Sequence, residues 1–201
     1  MALGATFSAL EVVPLTIIGF EAYHNYKLSK STKWLQDYKW PIYYLISVAF
    51  WNFLGAGVFG FIINPPIALY YVQGLNTTPL HGHTALFGVY GMLGIGLMLF
   101  VLRSLYRDVQ WNEKILKIGF WSLNIGLLAM ALFSLLPVGV WQAIASIKEG
   151  MWYARSAELM QQPGMVFLKW MRTPGDVIFA IGVFACAWFV FDLTLKNKIK
   201  N

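Results

Sequence analysis

The sequence predicts an all-α membrane protein of about five transmembrane helices, and its composition leads to this prediction. The chain has 201 residues, of which 58% are hydrophobic and only 12% are charged. Soluble domains usually carry about 25% charged residues, whereas the apolar residues here form long runs rather than stripes. The one cysteine, Cys186, lies inside such a run, so disulfides cannot hold the fold together. We expect residues 1–201 to form a single transmembrane domain.

Five apolar segments are long enough to cross about 30 Å of hydrocarbon at roughly 1.5 Å per residue. The predicted spans are residues 2–20, 41–63, 81–102, 115–140 and 174–195. Pro41 suits the first turn of the second span, where a helix loses no hydrogen-bond donor to proline.

The connectors between the spans differ in character. Residues 67–80 carry no charge, and we expect a loop or short surface segment over one end of the bundle. Residues 141–172 are amphipathic and should be partly helical, with a break at Gln161-Gln162-Pro163-Gly164.

The basic residues predict the orientation in the membrane. Eleven lie in the first connector, the third connector and the tail, against four on the other side. The positive-inside rule therefore places the C-terminus in the cytoplasm and the N-terminus outside. The net charge of +6 lies at helix ends and not in a long basic run, which argues for membrane lipid and against nucleic acid as a partner.

His81 and His83 stand at the mouth of the third span. Residues two apart on an α-helix point roughly 200° away from each other, so the two imidazoles should face opposite sides. That arrangement suits two separate metal centres flanking one helix. The alternative is a helix-end pair that hydrogen-bonds to loop carbonyls. Glycines along this span allow either a flat cofactor or another helix to come close, namely Gly82, Gly88, Gly91, Gly94 and Gly96.

Two acidic residues are further candidates. Glu11 lies inside the first apolar span, where a carboxylate serves proton movement or pairs with a polar group on a neighbouring helix. Asp176 opens the fifth span, where an acidic residue in the first turn complements the helix dipole. His24 lies in a basic connector and is expected to be a solvated side chain.

The stretch Asn76-Thr77-Thr78-Pro79-Leu80-His81-Gly82-His83-Thr84-Ala85-Leu86-Phe87-Gly88-Val89-Tyr90-Gly91-Met92 resembles the large subunit of bacterial nitric oxide reductase, most closely the quinol-oxidising form. That family belongs to the haem–copper oxidase superfamily. Residues 5–11 and 152–158 resemble it too. The resemblance implies that the five spans correspond to the last five helices of a twelve-helix core with two b-type haems and a non-haem iron.

The resemblance also implies roles for four residues. His81 would be the axial ligand of the high-spin catalytic haem, and His83 an axial ligand of the low-spin haem. Glu11 would help to deliver protons, and Asp176 would match an acidic residue near the quinol site. The family reduces two nitric oxide molecules to nitrous oxide with electrons from quinol or cytochrome c. Its location would be the bacterial cytoplasmic membrane.

The chain departs from the family in its histidines, of which it has three. The ligands of the non-haem iron and the second ligand of the low-spin haem have no counterpart here. We therefore expect a C-terminal fragment that is inactive alone and needs the missing N-terminal portion, either from the same enzyme or as a separately encoded subunit. The alternatives are a non-catalytic membrane fragment that binds haem and a helical scaffold.

Overall fold

The computed structural model describes residues 33–107 and 109–198, together with six separate helical residues that precede them. Those six are Leu10, Val13, Ile17, Phe20, Glu21 and His24. Apart from four of these residues, the first predicted span, 2–20, lies outside the described part of the chain, and so does Glu11.

Helices account for nearly all of the described residues, and no strand occurs among them. Four helical runs there are long and apolar enough to cross a membrane, so the predicted all-α membrane fold is confirmed. In chain order the helices are α1 (Lys33–Asp37), α2 (Lys39–Ile63), α3 (Pro66–Val72), α4 (Thr77–Leu105), α5 (Glu113–Glu149), α6 (Ala157–Met160), α7 (Pro163–Trp170) and α8 (Arg172–Lys198).

The helices are longer than the apolar runs that predicted them. Helix α5 continues through Glu149, and α4 already begins at Thr77. The connector 67–80 was predicted as a loop or short surface segment, but it is largely helical. Helix α3 covers its first half and the start of α4 its end, and Pro66 suits the first position of α3. The predicted break before Pro163 is present, since α6 ends at Met160 and α7 starts at Pro163.

Small residues set the packing of the last helices. A Cβ on Gly126 of α5 would lie 2.5 Å from the backbone nitrogen of Phe179 in α8. One turn further along α8, a Cβ on Gly182 would lie 2.7 Å from the backbone nitrogen of Leu123. Two membrane helices can come this close only where one of them lacks a side chain. Helices α5 and α8 therefore form one tightly packed pair, and α2 and α4 form another.

Asn124 joins the two pairs inside the membrane. Its side-chain oxygen accepts hydrogen bonds from the Ser47 hydroxyl at 2.5 Å and the Trp51 indole N–H at 2.9 Å. Its amide nitrogen donates to the carbonyl of Phe120 at 2.8 Å. Ser47 and Trp51 are both buried. The polar cluster therefore satisfies groups that would otherwise be unpaired in an apolar interior.

Charged residues gather at the end of the bundle where α2 and α5 begin. Arg103 donates to Asp37 at 3.2 Å and lies over the Trp111 ring. Lys39 pairs with Glu113 at 2.5 Å. The histidines lie at the start of α4 and thus at the opposite end. The charges at this end fit a membrane surface, and the orientation relative to the cytoplasm stays a prediction.

Replacing Asn124 with leucine should weaken the bundle, because Ser47 and Trp51 would lose their shared acceptor. Interhelical hydrogen bonds in membranes contribute roughly 0.6 kcal/mol each and at most about 1.7 kcal/mol. We expect Asn124→Leu to lower the free energy of unfolding by about 1–2 kcal/mol in detergent micelles. The lipid-facing neighbour change Ile125→Leu is the control. Equal stability of the two variants would show that the cluster does not hold the helices together.

Candidate functional site

His81 is held against α2 by a backbone carbonyl. Its Nδ1 lies 2.8 Å from the carbonyl oxygen of Gly55. Because a carbonyl can only accept, the ring must donate from Nδ1, and in the neutral imidazole the lone pair is then on Nε2. Gly60 makes room for the ring, since a Cβ there would lie 3.1 Å from Cε1. Among the described residues nothing hydrogen-bonds to Nε2, so its lone pair is available to a ligand.

His83 also donates from Nδ1, but to a different backbone carbonyl. Its Nδ1 lies 2.7 Å from the carbonyl oxygen of Pro79, four residues earlier in its own helix. By the same reasoning Nδ1 donates and Nε2 carries the lone pair. Nε2 in turn lies 3.2 Å from a guanidinium nitrogen of Arg172, which donates to it. His83 thus links α4 to the start of α8.

The two imidazoles therefore contact different helices, α2 for His81 and α8 for His83. Both side chains are half-buried. Among the described side chains, no three His, Cys, Asp or Glu come together as a metal-ion cluster.

The sequence predicts Asp176 in the first turn of the fifth span, but the structure places it after the first turn of α8. Helix α8 begins at Arg172, four residues earlier, and the Arg172 Nε donates to the Asp176 carboxylate at 3.1 Å. The arginine therefore connects Asp176 to His83. Pairing with Arg172, and not the helix dipole, explains the position of this carboxylate.

Helices α2 and α4 approach each other closely beside the histidines. A Cβ on Gly55 would lie 2.6 Å from the backbone carbonyl carbon of Thr84, and one on Gly88 would lie 2.6 Å from Cγ of Trp51. Both helices have π-helical stretches here, Asn52–Phe59 and His83–Gly91. Such stretches are often found at functional sites.

The glycines of α4 serve two purposes. Gly88 and Gly96 lie against side chains of α2, as ordinary helix packing requires. A Cβ on Gly82 or Gly94 would meet nothing within 4 Å among the described atoms. Of the α4 glycines, only these two leave open space for another group.

A buried glutamine fixes the start of the histidine helix, and the sequence analysis did not single it out. The side-chain oxygen of Gln142 accepts from the backbone N–H of Asn76 at 2.9 Å and from its side chain at 2.8 Å. Its amide nitrogen donates to the carbonyl of Ala154 at 3.0 Å. Gln142 thereby ties the turn before α4 to the segment after α5. Its only sequence signal was a polar side chain in an otherwise apolar run.

Two candidate residues from the sequence remain, Glu11 and His24. Glu11 lies outside the described residues, so its predicted part in proton delivery stays a prediction. His24 is exposed.

Replacing Gly55 with alanine should disturb the site, because the new Cβ would collide with the Thr84 backbone and push away the carbonyl that binds His81. Overpacking of this kind typically costs about 1–3 kcal/mol. We expect Gly55→Ala to lower the unfolding free energy in detergent by that amount. Gly94→Ala, in open space on α4, should be neutral or slightly stabilising. Two equally stable variants would contradict the close approach.

Comparison with known proteins places the chain in a family. The sequence profile of the family described as cytochrome c and quinol oxidase polypeptide I matches residues 1–178. A nitric oxide reductase subunit of Stutzerimonas stutzeri is 28% identical over 189 residues, which confirms the predicted resemblance. The alignment covers 90% of this chain but 38% of that relative, so the chain spans well under half of the relative's length. Since the family profile matches most of its residues, the chain belongs to the cytochrome c and quinol oxidase polypeptide I family.

Proposed function

We propose that the chain is the C-terminal part of a nitric oxide reductase, in which His81 and His83 hold the irons of two b-type haems. The observation that carries this proposal is that both imidazoles donate from Nδ1 to a backbone carbonyl, His81 to Gly55 of α2 and His83 to Pro79 of its own helix. A histidine that ligates a metal usually donates its other ring N–H to an oxygen acceptor, which fixes the tautomer. Both rings meet this condition with backbone carbonyls.

The donor chemistry of His81 suits haem, because the Gly55 carbonyl holds Nδ1 and leaves Nε2 as the nitrogen that would bind iron. Among the described residues Nε2 of His81 has no hydrogen-bond partner, and the ring packs against Gly60 of α2. At His83 the donor chemistry also fits, but Arg172 donates to the nitrogen that would bind iron. Ligation there requires the guanidinium to move, and Asp176 offers it a carboxylate close by.

Haem at these positions would supply one-electron chemistry at iron. Two nitric oxide molecules, two electrons and two protons balance as one nitrous oxide and one water. The part of this chain is to orient both imidazoles, and the Gly55 and Pro79 carbonyls do this by accepting from Nδ1. The carbonyl partners also make the opposite nitrogens better electron donors to a metal.

Glu11 and Asp176 complete the proposed machinery. Glu11 would deliver protons, because a carboxylate in a membrane span is expensive to keep without a function. Asp176 would lie near the site that receives electrons from quinol, although its pairing with Arg172 also accounts for its position. The choice between quinol and cytochrome c as electron donor rests on the resemblance alone.

The rest of the enzyme would come from another portion of the same protein or from a separate subunit. The relative's extra length supports this proposal, since the chain covers 38% of it. A face of the histidine helix α4 also carries large apolar side chains that no described residue covers. Leu86 is 64% exposed and Tyr90 is 68% exposed. Further helices, haem or lipid would cover them. The bacterial cytoplasmic membrane, with the N-terminus outside, is the proposed location.

A second proposal is a membrane fragment that binds haem without catalysing a reaction. The open Nε2 of His81 favours it, because one imidazole suffices to hold a five-coordinate haem. A plain helical scaffold is the third alternative. Haem binding separates the scaffold from the other two, and turnover after assembly separates the enzyme from the haem-binding fragment.

Titration of the purified chain with haem should give one saturable absorption change that depends on His81. We expect His81→Ala to weaken binding on the order of 100-fold, because the ligand itself is lost. His24→Ala, which removes an exposed histidine, is the matched control and should bind like the unaltered chain. A His81→Ala variant that binds haem normally would refute the ligand assignment.

Nitrous oxide should form only when the chain is assembled with the missing portion of the enzyme. We expect no nitric oxide reduction by the 201-residue chain alone, since its three histidines cannot supply every ligand that the family uses. Co-expression with the N-terminal portion of the relative tests the assembly, and gas chromatography measures the product. Turnover by the isolated chain would overturn the fragment hypothesis.

A further inference from the structure

A cavity of about 620 Å³ lies between the beginnings of α2 and α5. It is at the charged end of the bundle, away from His81 and His83. Four lining residues of α2 and five of α5 each repeat at the three- and four-residue spacing of a helix face. The cavity is therefore a groove between two adjacent helix faces and runs along the membrane normal.

The mouth of the groove carries excess positive charge. Three lysines line it, Lys39, Lys114 and Lys117, against one carboxylate, Glu113. Glu113 is already engaged, because it pairs with Lys39 at 2.5 Å and accepts from the Trp40 indole at 3.1 Å. Lys114 and Lys117 form no ion pair with any residue in the described part of the chain. Being three residues apart on α5, they point to the same side.

The inner wall of the groove is apolar and aromatic. Tyr43 and Ile46 come from α2, and Phe120 and Trp121 come from α5. The Tyr43 and Phe120 rings lie 6.0 Å apart, and the Trp121 side chain is 52% exposed. These side chains follow the lysines towards the middle of the membrane. One ligand that contacts both parts must have an anionic head and an apolar tail.

We propose that this groove binds an anionic phospholipid, with its phosphate at Lys114 and Lys117 and an acyl chain along Tyr43, Ile46, Phe120 and Trp121. Basic pockets between membrane helices recognise lipid head groups in this way. The first turn of α5 adds the positive end of a helix dipole. Free phosphate would leave the aromatic wall uncovered, and a neutral quinone would leave the two lysines unpaired. The proposal does not depend on haem binding or on nitric oxide chemistry.

The test compares phosphatidylglycerol with phosphatidylcholine bound to the purified full chain, by native mass spectrometry and in nanodiscs at low ionic strength. The unaltered chain should prefer phosphatidylglycerol. Each lysine near an anionic head group is worth roughly a five-fold change in affinity. We therefore expect Lys114→Gln with Lys117→Gln to reduce this preference by roughly 30-fold. Lys148→Gln, at the far end of α5, is the matched control and should not change it.

Two further variants test the remaining parts of the groove. Glu113→Gln should strengthen phosphatidylglycerol binding up to about five-fold, because it frees Lys39 while keeping an acceptor for Trp40. Ile46→Trp should fill the groove and weaken both lipids. Circular dichroism checks that each variant is folded. Equal binding of the two lipids to the unaltered chain would overturn the proposal. So would an unchanged preference in the double lysine variant, or binding of inorganic phosphate that competes fully with the lipid.

Discussion

Helices α2 and α4 lie so close together that a side chain at Gly55 would overlap the Thr84 backbone, and the histidine site depends on this approach. The approach brings the Gly55 carbonyl to His81 Nδ1. A helix carbonyl normally has a partner within its own helix, but the π-helical stretch around Gly55 changes that pairing. One backbone feature thus sets the distance between the helices, the orientation of the ring and its tautomer.

His83 reaches the same tautomer by a local route. Its acceptor is the carbonyl of Pro79, in the preceding turn of the same helix, so its orientation does not depend on α2. The far side of the ring depends on α8 through Arg172. The two histidine rings are thus oriented by different partners. A change at Gly55 should disturb His81 first, and a change at Arg172 should disturb His83 first.

The sequence was sufficient for the features that depend on local patterns. Long apolar runs predicted the spans 41–63, 81–102, 115–140 and 174–195, and the two-residue spacing of the histidines predicted that their rings face opposite sides of the helix. Helix ends were harder, because residues 141–149 are amphipathic and α5 simply continues through them. The predicted place of Asp176 in a first helical turn was also wrong, because nothing in the sequence marks Arg172 as the start of α8.

The partners of the site residues could not be predicted, because they are distant in the chain. Gly55 is 26 residues before His81, and Asn76 is 66 residues before Gln142. A lone glutamine or asparagine in an apolar run signals that a partner exists, but only the packing of the helices identifies it. The predicted first span and Glu11 lie outside the described residues and stay predictions.

The hydrogen bonds of Asn124 also bear on whether protons can pass between α2 and α5. Its side-chain oxygen has two lone pairs, and Ser47 and Trp51 occupy both. An amide, unlike a carboxylate, does not take up and release protons near neutral pH. The interface between α2 and α5 is therefore polar enough to join two helices, while Asn124 itself adds no group that takes up or releases a proton.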